Sequence, residues 1–122
     1  MKQVLCIVVF VCLAGCASLF GPPAPVNAVD GVFVDAKGMT LYTFDRDTPG
    51  KSNCNGPCAV NWPPFGAPAD AKPTGDWSVI TREDGRKQWA YKGKPLYTWA
   101  KDQKPGDRSG DGFNNLWRLA RS

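Results

Sequence analysis

The sequence predicts a mainly β fold: one small domain of two hairpin-based repeats with a short helical turn, behind a signal peptide and a flexible tether. Three observations lead there. A phrase recurs 55 positions apart, as Lys37-Gly38, Leu41-Tyr42-Thr43-Phe44 and Asp47, then as Lys92-Gly93, Leu96-Tyr97-Thr98-Trp99 and Asp102. A repeat that preserves aromatic type and spacing reports architecture before chemistry. The apolar residues that follow the tether come in short alternating runs, the period of strands rather than helices. Finally, 13 Gly and 11 Pro in 122 residues leave little room for long helices.

The N-terminus reads as an export signal. Met1-Lys2-Gln3 is a short positive start, Val4 to Leu13 is apolar, and Leu13-Ala14-Gly15-Cys16 closes the run with small residues before a cysteine. The run is far below the roughly 20 residues of a membrane-spanning helix. It resembles instead the lipobox of bacterial lipoproteins, which implies loss of residues 1–15 and acylation of Cys16. Cys6 and Cys12 leave with the signal. That resemblance implies a membrane partner reached through the lipid anchor, and a place in the cell envelope. Ala17 rather than Asp after the cysteine implies the outer membrane. Each buried methylene of an acyl chain adds about 0.8 kcal/mol to the anchorage.

Residues 16–28 form the tether. Pro22, Pro23 and Pro25 stand among small residues, a composition that stays extended and buries too little surface to order itself. The β domain is expected over residues 29–122, with its repeats at about 30–66 and 77–119. Across the chain, 15 Lys and Arg face 11 Asp and Glu, interleaved rather than clustered. That balance gives nucleic acid no foothold as a partner.

Within the domain, Val32 to Val34, Met39 to Phe44, Trp77 to Thr81, Gln88 to Tyr91 and Leu96 to Trp99 are the expected strands. Asp35 to Gly38, Glu83 to Gly85 and Lys92 to Lys94 supply the turns between them. One short helix is expected, with Asn55 as its cap, Pro57 in its first turn and Pro63-Pro64 as its stop.

Residues two apart on a strand share a face, so Tyr42 pairs with Phe44, and Tyr97 with Trp99, while Leu41 and Leu96 point away. Asp47 and Asp102 follow the strand ends, where a carboxylate accepts hydrogen bonds from turn amides. The four aromatics fit two roles. They form either a packed core or a binding face for a protein, glycan or apolar ligand.

Cys54 and Cys58 remain after Cys16 is acylated, and an oxidising compartment makes a disulfide the default. So short a loop gives about 2 kcal/mol. The alternative is a periplasmic redox component using the same pair. The chain has 0 His, which removes the commonest metal ligand, haem ligand and general base together. No cofactor is expected. Asp107, Ser109 and Asp111 occupy positions one, three and five of a calcium-loop pattern with Gly112 at six, but Arg118 stands where a bidentate glutamate belongs. A cation-binding protein is therefore a further alternative. No serine lies in a nucleophile elbow and no phosphate-binding glycine loop follows a strand, so a catalytic role is not expected.

The duplicated Tyr-x-aromatic-x-x-Asp pattern stands with Cys54-Asn55-Gly56-Pro57-Cys58-Ala59 leading into Asn61-Trp62-Pro63-Pro64. Asp84-Gly85 and Gln88-Trp89-Ala90-Tyr91 complete the set. Behind a lipobox, it resembles the bacterial secreted-repeat lipoproteins, a family with no assigned activity. The resemblance implies an envelope location and a β-rich fold, and a binding or structural module at the membrane surface rather than an enzyme.

Overall fold

In the structure, a computed structural model, the described residues are 24–122. The signal, Cys16 and the first part of the tether lie outside them. The elements in order are β1 (Asn27–Val29), β2 (Val32–Val34), β3 (Tyr42–Phe44), α1 (Pro57–Asn61), β4 (Trp77–Thr81), β5 (Lys87–Tyr91), β6 (Lys94–Pro95) and β7 (Trp117–Leu119). A 3-10 turn, Phe113–Asn115, precedes β7. The fold is mainly strand, in three small antiparallel sheets with one short helix, as the alternation and the turn residues predicted.

Each repeat opens with a hairpin, β1–β2 in the first and β4–β5 in the second. The repeats then exchange partners. β3 of the first repeat pairs with β7 of the second, Tyr42 opposite Leu119 and Phe44 opposite Trp117. Reciprocally, Tyr97 of the second repeat bridges Pro64 of the first. The two halves meet at their motif tyrosines, where Tyr42 N–H donates to Tyr97 C=O at 2.8 Å and Tyr97 N–H donates to Tyr42 C=O at 3.0 Å. Further bonds keep the same two-fold logic. Asp45 N–H donates to Leu116 C=O at 2.8 Å, and Ala100 N–H to Asn61 C=O at 2.9 Å. Ala120 N–H donates to Leu41 C=O at 2.9 Å, and Phe65 N–H to Leu96 C=O at 2.8 Å.

Two apolar clusters lie on opposite sides of this seam. One holds Tyr42, Tyr97, Trp62, Trp99 and Trp117, with Phe44 packed against it. The other holds Leu41, Leu96, Phe33, Phe65, Trp89 and Ala120. The pleat of a strand sends neighbouring side chains to opposite faces, so the Leu-Tyr step of each motif divides the core in two.

Several boundaries differ from the sequence reading, for physical reasons. Asn27 and Ala28, assigned to the tether, belong to β1; their side chains are exposed, so no apolar signal marks them, and the backbone pairs Asn27 with Val34 and Ala28 with Phe33. The strand expected from Met39 begins at Tyr42, with Thr40 bridged singly to Val34. Leu96 to Trp99 forms no continuous strand: Tyr97 alone bridges, to Tyr42 and Pro64. α1 is capped by Gly56 rather than Asn55, with no side-chain bond to its first turn. The amide of Asn55 donates instead to Glu83 Oε2 at 3.0 Å.

Candidate functional site

The repeated motif builds the centre of the molecule, and its two copies interlock. Tyr42 Oη donates to Asp102 Oδ2 at 2.6 Å, and Tyr97 Oη donates to Asp47 Oδ2 at 2.7 Å. Each phenol thus reaches the carboxylate of the other repeat. The remaining carboxylate oxygens tie down the turns that follow. Asp47 Oδ1 accepts from Asn53 N–H at 2.6 Å, and Asp102 Oδ1 accepts from Ser109 N–H at 3.0 Å and from its hydroxyl at 2.6 Å. Bonds of this kind, with an ionised acceptor, run to about 1.5–3 kcal/mol each.

The aromatic residues continue the pattern. Phe44, Trp117, Trp62 and Trp99 form a four-ring column, with successive centroids 4.3, 3.7 and 4.0 Å apart and interplanar angles of 17, 2 and 26°. The two equivalent tryptophans lie face to face at its middle, and each motif aromatic stacks on the tryptophan of the opposite repeat. Tyr42 meets Trp62 edge-on at 5.2 Å, and Tyr97 meets Trp117 edge-on at 5.2 Å. Of the four residues weighed as a ligand face, Tyr42, Tyr97 and Trp99 are buried and only Phe44 keeps partial exposure. As a set they are core, because the pairing of β3 with β7 turns their shared face onto the partner repeat.

Behind the tyrosines the two copies differ. Tyr42 Oη accepts from Gly110 N–H at 3.2 Å. Tyr97 Oη instead meets the Ser52 hydroxyl at 2.6 Å, which accepts from Arg82 Nη1 at 2.9 Å. The Arg82 guanidinium is buried and also donates to Gln88 Oε1 at 2.8 Å and to Cys54 C=O at 2.7 Å. A run of hydrogen bonds therefore links a buried cation to the Asp47 carboxylate, a sound arrangement for charges that interior burial would otherwise penalise. Ser52, Arg82 and Gln88 were missed in the sequence, where arginine and glutamine ordinarily signal surface. Burial raises Asp47 above the usual carboxylate range, opposed by its bonds from Asn53 and Tyr97. Burial first, and the bonded carboxylate next, hold the Tyr42 phenol well above its ordinary value; burial likewise dominates at Tyr97. The two phenols therefore stay protonated while they donate to the carboxylates.

The sulfurs of Cys54 and Cys58 are 2.03 Å apart, a disulfide that closes the turn into α1. Cys54 is wholly buried among the aromatics, and Cys58 only partly. Two residues of the calcium-loop pattern are engaged in turns. Asp107 accepts from the Gln103 and Lys104 amides at 2.8 and 3.2 Å, while the Ser109 hydroxyl is given to Asp102. Turn formation thus engages Asp107 and the Ser109 hydroxyl, and among the described residues no group of three or more His, Cys, Asp or Glu side chains could hold a metal ion.

Two adjoining clefts open on the surface beside β3 and β6. The first, about 240 Å³, is lined by Phe44, Asp45, Asp47, Thr48, Lys92 and Lys94 among others. The second, about 300 Å³, shares Thr43, Asp45, Lys92 and Lys94 with it and adds Arg118 and Arg121.

The sequence pattern of a family described as a secreted repeat of unknown function matches this chain twice, over residues 25–65 and 78–121. Those segments cover both copies of the interlocked motif. No curated protein and no solved structure matches the chain.

Proposed function

Because the chain belongs to this secreted-repeat family over both halves of its fold, we propose that it is a lipid-anchored envelope protein that works as a binding or structural module without turnover. One observation carries the non-catalytic part: the motif that defines the repeat is used up internally. Both phenols donate to carboxylates, and both carboxylates accept from turn amides, so the motif presents no reactive group to a substrate. The motif is a fastening between halves, and any activity toward partners belongs to the surface around it. The anchoring part is supported by the Leu13-Ala14-Gly15-Cys16 sequence and the proline-containing stretch that follows. On this reading Cys16 carries the acyl chains, the tether holds the β domain off the bilayer, and the outer membrane is the surface served.

The test is mass spectrometry of the N-terminal peptide from protein recovered in the membrane fraction. An acylated Cys16 as first residue is expected, and Cys16→Ser should move the protein to the soluble fraction with its tryptophan emission unchanged. Membrane-derived protein whose Cys16 is unmodified would overturn the anchor.

A further inference from the structure

The two ends of the aromatic column are unlike. At one end Trp99 is 6% exposed, with the Phe113 ring 4.9 Å away against it. At the other, Phe44 is half-buried, and Trp117 is the one ring packed on it among the described residues. Phe44 lines the first cleft, so this end of the column opens on it, whereas the other end is covered by the exposed Phe113 ring.

We propose that this end of the column and the basic hollow beside it bind an acidic glycan, a deepening of the binding-module reading above. The chemistry of the lining favours that occupant. An aromatic ring attracts the C–H face of a pyranose, and the neighbouring hydroxyls and carboxylates suit sugar hydroxyls. Asp45 Oδ2 is held by Arg118 Nη2 at 2.9 Å, while Oδ1 remains to accept. The charge balance sets the sign of the ligand. Lys92, Lys94 and Arg121 form no ion pair among the described residues, whereas Arg118 is neutralised by Asp45. Across the two clefts Lys92, Lys94, Arg118 and Arg121 outnumber Asp45 and Asp47, so the net charge of the lining side chains is positive and calls for a carboxylate or phosphate on the sugar. The clefts adjoin and share Asp45, Lys92 and Lys94, which gives them together the size of a small-molecule site. Their concavity favours a ligand that enters over a flat lipid surface.

The experiment titrates full-length protein in detergent with a trisaccharide of galacturonic acid and, separately, with neutral galactotriose, followed by calorimetry. The acidic sugar should bind at least tenfold more tightly, and the preference should shrink as salt rises. Phe44→Leu keeps an apolar side chain on Trp117 and should weaken binding at least fivefold in protein that is still fully folded at the assay temperature, as its tryptophan emission reports. Lys92→Gln with Lys94→Gln should remove the preference for the acidic sugar. Equal binding of both sugars, binding of neither, or full affinity in Phe44→Leu would overturn the proposal. Anionic phospholipid vesicles that compete regardless of Phe44 would also overturn it, as they would mark a membrane contact. None of these outcomes bears on Cys16, so failure here and failure of the anchor are read separately.

Discussion

After each Tyr–Asp motif the chain makes a turn back toward the column of rings, and the two repeats make it with different materials. The first places Cys54 and Cys58 there and joins them. The second places Gly110 and Phe113 at the corresponding positions. A Cβ on Gly110 would lie 2.6 Å from Trp62 Cη2 and 3.1 Å from Trp99 Cγ, so only a bare backbone fits beneath the rings. The phenol behind each turn is likewise served differently, by the Gly110 amide in one copy and by Ser52 and Arg82 in the other. What the copies share is the set of bonds that crosses between them. What they do not share is the local filling. The difference teaches that the motif specifies the interlock, and that the space around it has more than one solution.

The largest effects should come from the shared part. Trp62→Ala or Trp117→Ala removes a ring from the middle of the column and should cost about 3–5 kcal/mol in urea denaturation, a large share of a small domain's stability. The two losses should be similar; a large loss for one and a small loss for the other would break the two-fold reading of the core.

The next test concerns the crossed Tyr–Asp bonds. Tyr42→Phe and Asp102→Asn should each cost about 1.5–3 kcal/mol and show a coupling above about 1 kcal/mol, whereas Tyr42→Phe with Asp47→Asn should couple by less than about 0.5 kcal/mol. Coupling within a repeat rather than across would overturn the interlock. Alkali probes the same phenols. Both have folded-state values above the unfolded value of 10.0, so their stabilisation is complete below that pH and declines as pH rises past it. Phenolate absorbance should therefore grow together with loss of tryptophan packing. Ionisation of Tyr42 or Tyr97 in a still-folded protein would contradict their burial.

The unshared filling should give effects no larger than those of the crossed bonds. Gly110→Ala is expected to cost about 1–3 kcal/mol by crowding Trp62. Replacing Cys54 and Cys58 with serine should cost about 2 kcal/mol, since the loop they close is short. Equilibrium denaturation of the two variants sharpens the contrast between repeats, provided the folded state of each retains the tryptophan emission of the parent.

Much of this was legible in the sequence because it rests on local period. The Leu-Tyr-x-aromatic step fixed which side chains share a face, and the structure sends Leu41 with Leu96 one way and Tyr42 with Tyr97 the other. The turn glycines were legible too: Gly38 and Gly93 both take positive φ, at 85 and 81°. The exchange of partners was hidden, because a repeated strand reads the same whether it pairs with its own repeat or with the other. β7 was hidden for that reason, being a short Trp117–Leu119 segment whose partner lies far back in the chain. Arg82 left no trace in the pattern, since its burial depends on Ser52 and Gln88 arriving from separate segments. The surface clefts were equally silent, as Phe44 and Lys94 belong to different repeats.

The pairing of Tyr42 with Leu119 also governs when the protein can exist. A chain emerging from its N-terminus cannot zip its early half shut until Leu119 is present, because the strand that completes that half belongs to the second repeat. Contacts so distant in sequence slow folding, yet they make completeness a condition of it. A product that stops before Trp117 would lack β7 and leave β3 without its partner, so the topology makes the second repeat a condition for closing the first.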